Sequence, residues 1–408
     1  MMESGDISFG KESPFFGRPY GSYTPEQFKR ISALFHGRSR TLLEPMCGTG
    51  WCLPHLLRDG HNITCIEVNP TAAAFAALRS PYLHERLDIV ESTLDRVLSS
   101  CPPFELHSVI EYESGWLPTP VQVWLRHYGA EVREFVNSSQ SIDSEVTKCL
   151  LFLPILSARR LGTFSSSDNV TWAKPGGMIA PVDIAEENRS AFRMWSDYIE
   201  SIYGNCRNGT LTVISEDFFT VPIRKTFEGM FFSPPYANRL DYLRLWAVES
   251  AVYGEVVGQE PFKVSKNIIG SNVVRGKQID KSLLRRLPTS VQRSLHAIST
   301  DGSHGSANYY FPFFAHYATN LYFSVLKAGS LLSRGGVGLI FVRDTPRKDV
   351  LFPTAALVAS ALKKSGCKVT QMASRVIRGH IGMRRRREHR SLQGLAQQEW
   401  SIEFERVR

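Results

Sequence analysis

None of the seven cysteines forms a Cys-x-x-Cys pair, and their number is odd. That spacing argues against both a zinc ribbon and a disulfide framework, and leaves Cys47, Cys52, Cys65, Cys101, Cys149, Cys206 and Cys367 as small buried residues. His304 and His316 have no neighbours at ligand spacing, so they read as structural and no metal is expected. No apolar run reaches the ~20 residues that a bilayer-spanning helix requires. Met1–Asp6 carries neither the basic nor the apolar region of a signal peptide, so a cytoplasmic address and no membrane partner are expected. There is no Gly-Lys-Ser/Thr, which argues against a phosphate-cradling loop, and there is no Pro-Cys dipeptide, internal repeat or low-complexity tract.

What remains is a 408-residue chain, 43% hydrophobic and 21% charged, with the balance of a soluble globular protein. Its net charge of +9 suits a polyanionic partner. Thr24 reads as an N-cap with Pro25 at the first helical position. Thr41–Leu43 and Asn62–Ile66 read as strands, with helices through Leu57 and over Thr71–Leu78, which makes a βαβ unit. Residues 83–205 carry apolar positions at helical spacing, with a Ser/Asn/Gly/Pro loop over Ser165–Pro181, and read as a mostly helical insertion. The α/β pattern resumes with strands at Leu211–Ile214 and Phe227–Phe232 and a helix over Leu240–Val252. Residues 255–306 are basic and read as loop-rich. Helix Phe313–Leu326, strand Val337–Val342, helix Pro353–Ser365 and strand Lys368–Met372 follow, then a hairpin with Arg384–Arg387 at its tip and Trp400–Phe404 returning. The division is therefore 1–82, 83–205 and 206–408.

Two short stretches carry chemistry. Glu44-Pro45-Met46-Cys47-Gly48-Thr49-Gly50 puts two glycines in a strand-to-helix turn, where the backbone can approach a ligand closely, and Glu67 at the end of the next strand is placed to bind ribose hydroxyls. Ser233-Pro234-Pro235-Tyr236 ends a buried strand. Two prolines cannot extend a ladder, so the chain leaves the sheet there in a stiff turn at the strand's carboxyl end, where α/β sheets bind ligands.

Leu43–Gly50, Ile66-Glu67-Val68-Asn69-Pro70 and Phe232–Tyr236 resemble three motifs of S-adenosylmethionine-dependent DNA amino-methyltransferases, which form N4-methylcytosine or N6-methyladenine. The resemblance covers 1–80 and 205–408 and is specific at those three motifs. It implies a Rossmann-like class I methyltransferase fold, with a mixed α/β sheet and a C-terminal antiparallel hairpin. It implies that Glu44, Pro45, Cys47, Gly48, Gly50, Glu67 and Asp217 bind S-adenosylmethionine, with Asp217 at the adenine, and that Ser233, Pro234, Pro235 and Tyr236 are catalytic. Phe15, Phe16, Tyr20 and Tyr23 resemble the segment that closes over the methionine end of the cofactor. The chain departs from the family in reading Glu-Pro-Met where Asp-Pro-Phe is usual, and in its long stretch between Glu67 and Asp217.

The site suits amine methylation. Ser233 Oγ and the Pro234 carbonyl can accept the two N–H groups of an exocyclic amine, and Tyr236 can stack on a base taken out of the helix. Such transfer needs no covalent intermediate, and the missing Pro-Cys argues against methylation at cytosine C5. Serine in the first position resembles the N4-cytosine subgroup; adenine N6, an RNA amine, and a catalytically silent nucleic-acid-binding relative are the alternatives. Asn238, Arg239, Asp241 and Tyr242 read either as a helix start or as contacts to the flipped nucleotide. Arg275, Lys277, Arg285 and Arg286, with Arg384 and Arg385, are candidate phosphate contacts or solvated faces. The expected partners are DNA and a cognate restriction endonuclease, in a prokaryote or phage.

Overall fold

The computed structural model describes residues 23–37, 40–106, 110–112, 115–139, 142–162, 177–179, 181–204, 209–237, 243–260, 268–270, 280–302, 305–376 and 398–407. Seven strands build the central sheet: β1 (Thr41–Glu44), β2 (Asn62–Ile66), β3 (Leu211–Ile214), β4 (Phe227–Phe232), β5 (Leu332–Arg343), β6 (Cys367–Val376) and β7 (Gln398–Arg406). Their order across the sheet is β6-β7-β5-β4-β1-β2-β3. β1 pairs in parallel with β2 and β4, β2 with β3, and β4 with β5, whereas β7 runs antiparallel to β5 and to β6. Strand order reverses between β1 and β4, which creates a crevice at their carboxyl ends. This is a Rossmann-like, doubly wound architecture, with the mixed sheet and C-terminal antiparallel hairpin expected from the sequence.

The centre of the sheet is buried on both faces because its strands alternate between two cores. Leu42, Phe231, Leu339 and Phe341 point into one. Leu43, Met230, Phe232, Ile340 and Val342 point into the other. On the first face lie α1 (Pro25–Phe35), α2 (Leu53–Arg58) and the helices of the 83–205 segment, chiefly α3 (Leu87–Ser100), α4 (Thr119–Ser138) and α5 (Ile184–Tyr203), joined by α6 (Ala247–Val257). Trp195, Tyr128 and Tyr203, all fully buried, carry the 83–205 segment into the same core as the sheet. The segment also holds two short antiparallel pairs, Glu105–Leu106 with Val182–Asp183 and Ile110–Tyr112 with Gly177–Ile179, so the end of the expected 165–181 loop is a strand. The other face carries α7 (Thr289–Thr300), α8 (Phe311–Ser330) and α9 (Thr354–Lys364).

Local chemistry explains the boundaries nearest the crevice. Thr24 Oγ1 accepts the Gln27 N–H while Gln27 Oε1 accepts that of Thr24, a reciprocal cap that starts α1 at Pro25. Two further expectations change. The helix expected over Leu240–Val252 begins at Ala247, because the chain first makes a tight turn over Arg244–Trp246 that seats Trp246 against the Phe75 ring; it ends at Gly258 in a left-handed cap. The loop expected through 255–306 contains α7, whose Val291, Leu295 and Ile298 supply a buried stripe beneath the basic residues that dominate the local composition.

Candidate active site

The glycine turn is a hydrogen-bonded unit that leaves β1 and is tied to β2. The Cys47 N–H donates to the Ile66 carbonyl (3.1 Å), and the Gly50 N–H to the Cys47 carbonyl (2.9 Å). Gly48 and Gly50 both have positive φ, +54° and +65°, which side-chain-bearing residues adopt only under strain. Glu67 bridges the two strand ends: one carboxylate oxygen accepts the Gly48 N–H at 2.8 Å and the other the Asn69 N–H at 2.9 Å. Arg79 donates through Nε to the Thr49 carbonyl (2.8 Å) and through Nη1 to the Tyr198 hydroxyl of α5 (2.8 Å), joining this turn to the helical segment.

Glu44 is fully buried at the end of β1 and accepts the Tyr23 hydroxyl at 2.9 Å. Burial pushes its carboxyl up to about 8, with Glu67 adding repulsion, so it is largely a neutral acid at pH 7. Burial raises Glu67 as well, opposed by the backbone N–H groups that it accepts. A hydrogen bond with Cys65 lowers the Cys47 thiol, but burial and the charges of Glu44 and Glu67 outweigh it and push it up to about 11, which leaves it protonated and unreactive at neutral pH.

Asp217 lies three residues past β3 and turns the chain there. Its carboxylate accepts the Phe219 N–H (2.9 Å), and its carbonyl accepts those of Thr220 and Val221. Lys327 of α8 holds the same loop from below, with Nζ donating to the Phe218 carbonyl at 2.6 Å and the Val221 carbonyl at 2.5 Å and lying 4.9 Å from the centre of the Phe218 ring.

Ser233–Tyr236 leaves the end of β4 as the prolines require. Ser233 Oγ donates to the Tyr236 hydroxyl (3.3 Å), which donates to Glu399 Oε1 (3.2 Å) on β7. Glu399, only 6% exposed, also pairs with Arg343 of β5 (3.5 Å) and Arg375 of β6 (2.6 Å). The Arg343 guanidinium lies 4.7 Å from the Tyr236 ring centroid, so it covers one ring face and a stacked base would have to use the other.

One cavity of about 320 Å³ brings these parts together. Glu44, Pro45, Cys47, Gly48, Thr49, Glu67, Asp217 and all of Ser233–Tyr236 line it. Gly50 does not: a Cβ there would lie 2.4 Å from Leu53 and 3.1 Å from Ala76, so its role is to let α2 and the helix following β2 pack closely. The volume is in the range of small-molecule sites. The lining carboxyls suit hydroxyl and amine donors, and a Cβ at Gly48 would meet nothing within 4 Å, so the backbone there is open to a ligand. These features fit a nucleoside cofactor such as S-adenosylmethionine.

The sequence reading missed several lining residues: Thr24 and Gln27 of α1, Ser324 of α8, Arg343 and Glu399. Ser324 is 1% exposed, and its hydroxyl has no hydrogen-bond partner among the described residues. A small polar residue within an apolar helix face was its only sequence signal. Arg285 and Arg286 are exposed between Leu284 and α7, with Arg286 over the Phe323 ring at 4.7 Å. Phe15, Phe16, Tyr20, Asn238, Arg239, Asp241, Tyr242, Arg275, Lys277, His304, Arg384 and Arg385 lie outside the described residues. Among the described residues, no helix is long and apolar enough to cross a membrane.

No family model and no curated protein matches the chain. Among solved structures it is similar to the rRNA methyltransferase AviRa from Streptomyces viridochromogenes, with 11% identity, coverage of 96% of this chain and 89% of that one, and a TM-score of 0.28.

Proposed function

We propose that the chain is an S-adenosylmethionine-dependent methyltransferase acting on the exocyclic amine of a DNA base, cytosine N4 by preference. The observation that carries this reading is the single cavity onto which the glycine turn, Glu67, Asp217 and Ser233–Tyr236 all open. Residues far apart in sequence converge there at the carboxyl edge of a doubly wound sheet, where such folds bind ligands.

Cys47–Thr49, Glu67 and Asp217 would hold the cofactor. A bound S-adenosylmethionine would supply the methyl group from its positively charged sulfur, which would become a neutral thioether, and the surplus proton of the methylated amine would pass to solvent. The protein's part is orientation. An exocyclic amine is a weak nucleophile because its lone pair is delocalised into the ring. Ser233 Oγ and the Pro234 carbonyl are fixed acceptors that would draw its two N–H groups out of the ring plane and favour a tetrahedral nitrogen. Tyr236, covered on one face by Arg343, offers the other face to the base. The serine in the first position resembles the N4-cytosine subgroup, and the net charge of +9 suits a polyanionic nucleic acid.

Expression in a methylation-free host, followed by base-resolved mapping of modified positions, tests the proposal. The expected outcome is N4-methylcytosine at a defined DNA sequence. N6-methyladenine would move the target base, and methyl label entering RNA with none in DNA would overturn the DNA assignment. No methyl transfer to either nucleic acid would overturn the reading as a whole.

A further inference from the structure

We propose that Glu399 is a positioning residue that makes Ser233 Oγ a hydrogen-bond acceptor toward the target amine, an inference that rests on the methyl-transfer reading above. A serine hydroxyl can donate or accept, and it has one proton to place. An amine that must be drawn toward Ser233 through its own N–H needs that oxygen free to accept. Asparagine or aspartate at this position would offer an acceptor oxygen unconditionally; serine does so only if its proton is engaged elsewhere.

The structure supplies a chain that engages it. The Glu399 carboxylate can only accept, so the Tyr236 hydroxyl donates to it, at 3.2 Å. With its proton given to Glu399, the Tyr236 oxygen accepts from Ser233, at 3.3 Å. The Ser233 proton is thereby directed toward Tyr236, which leaves the oxygen's two lone pairs to accept. Arg343 and Arg375 hold Glu399 in place from the neighbouring strands, and Arg375 also reaches Glu26 and Thr24 of the α1 cap. The direction of each bond follows from the carboxylate at the end of the chain.

Glu399→Gln tests the polarity with almost no change in shape. Arg343 and Arg375 would compete for the one remaining carbonyl oxygen, turning the amide NH₂ toward Tyr236 and reversing the chain. Single-turnover methyl transfer should fall at least ~10-fold, with Tyr236→Phe falling similarly and the double variant little further, since the residues act as one unit. Affinity for S-adenosylhomocysteine, measured by calorimetry, should stay within about twofold, because the chain lies at the amine end of the site. In a Ser233→Asn background, whose side-chain carbonyl accepts without placing a proton, Glu399→Gln should cost less than about twofold.

A merely structural Glu399 would cost the same in both backgrounds, and that result overturns the inference while leaving the methyl-transfer reading intact. No transfer by the wild-type protein overturns both. A second measurement does not depend on activity. The tyrosine C–O stretch, isolated as the infrared difference between wild type and Tyr236→Phe, reports whether the phenol donates or accepts. It should move in Glu399→Gln, and an unmoved band overturns the inference even if the Ser233→Asn background proves inactive.

Discussion

The two glycines of the first turn look equivalent in sequence, yet their surroundings give them different jobs. Gly48 has positive φ and open space for at least 4 Å around the point where a Cβ would stand, whereas Gly50 has positive φ and a packed neighbourhood of Leu53 and Ala76. Gly48→Ala should cost about 1–2 kcal/mol of stability from backbone strain but reduce cofactor affinity at least ~10-fold, because the new methyl stands on the cavity wall. Gly50→Ala should cost more stability, on the order of 2–4 kcal/mol, because strain and overpacking add. Urea unfolding and calorimetry on both variants separate the two losses. Glu44 is a second case. Its carboxyl sits at about 8 against an ordinary 4.5, so between those values the folded chain keeps a proton that the unfolded chain releases. The stability associated with that proton is fully present below pH 4.5, falls as pH rises toward 8 and levels off above it. Glu44→Gln removes this contribution, and its urea midpoint should drop less than that of wild type between about pH 5.5 and about pH 8. Glu67, also raised by burial, acts in the same direction, so the slope is reduced rather than abolished. Equal slopes would rule out a neutral Glu44.

At the scale of elements, the site is held from below by α8. Lys327 gives its N–H groups to the carbonyls of Phe218 and Val221, and so fixes the loop that presents Asp217. Lys327→Met keeps the apolar stem over the Phe218 ring and removes the donors. Since a hydrogen bond from a charged group contributes about 1.5–3 kcal/mol, cofactor affinity should fall about 10-fold or more as the loop loosens. Thermal unfolding with and without S-adenosylhomocysteine checks this: the shift produced by ligand should shrink more than the melting temperature of the free protein. The 83–205 helices enter at the same scale, because Arg79 connects Tyr198 of α5 to the carbonyl of Thr49.

For the whole molecule, the governing quantity is a net charge of +9. Nucleic-acid binding driven by phosphate contacts should weaken steeply as salt rises, with the slope set by the number of contacts. Arg285 and Arg286 are exposed and available for such contacts. Replacing both by alanine should lower the log–log salt slope by about one to two, with the loss similar across sequences, because phosphate contacts position without reading bases. An unchanged slope in filter-binding or anisotropy titrations would remove these two arginines from the interface.

The central strands were legible in the sequence because they alternate between two buried faces, and the Ser-Pro-Pro-Tyr turn because proline cannot continue a ladder. The cap at Thr24 and the glycine turn were legible for the same reason: backbone constraints are local and leave a mark within a few residues. The helix over Thr289–Thr300 was hidden because charge dominated a stretch whose apolar stripe is only three residues wide. Whether Glu44 is neutral, whether Ser233 donates or accepts, and which side chains wall the cavity were decided by tertiary structure alone. Those properties depend on burial and on partners such as Tyr23, Arg343 and Glu399, which only folding brings to the same crevice.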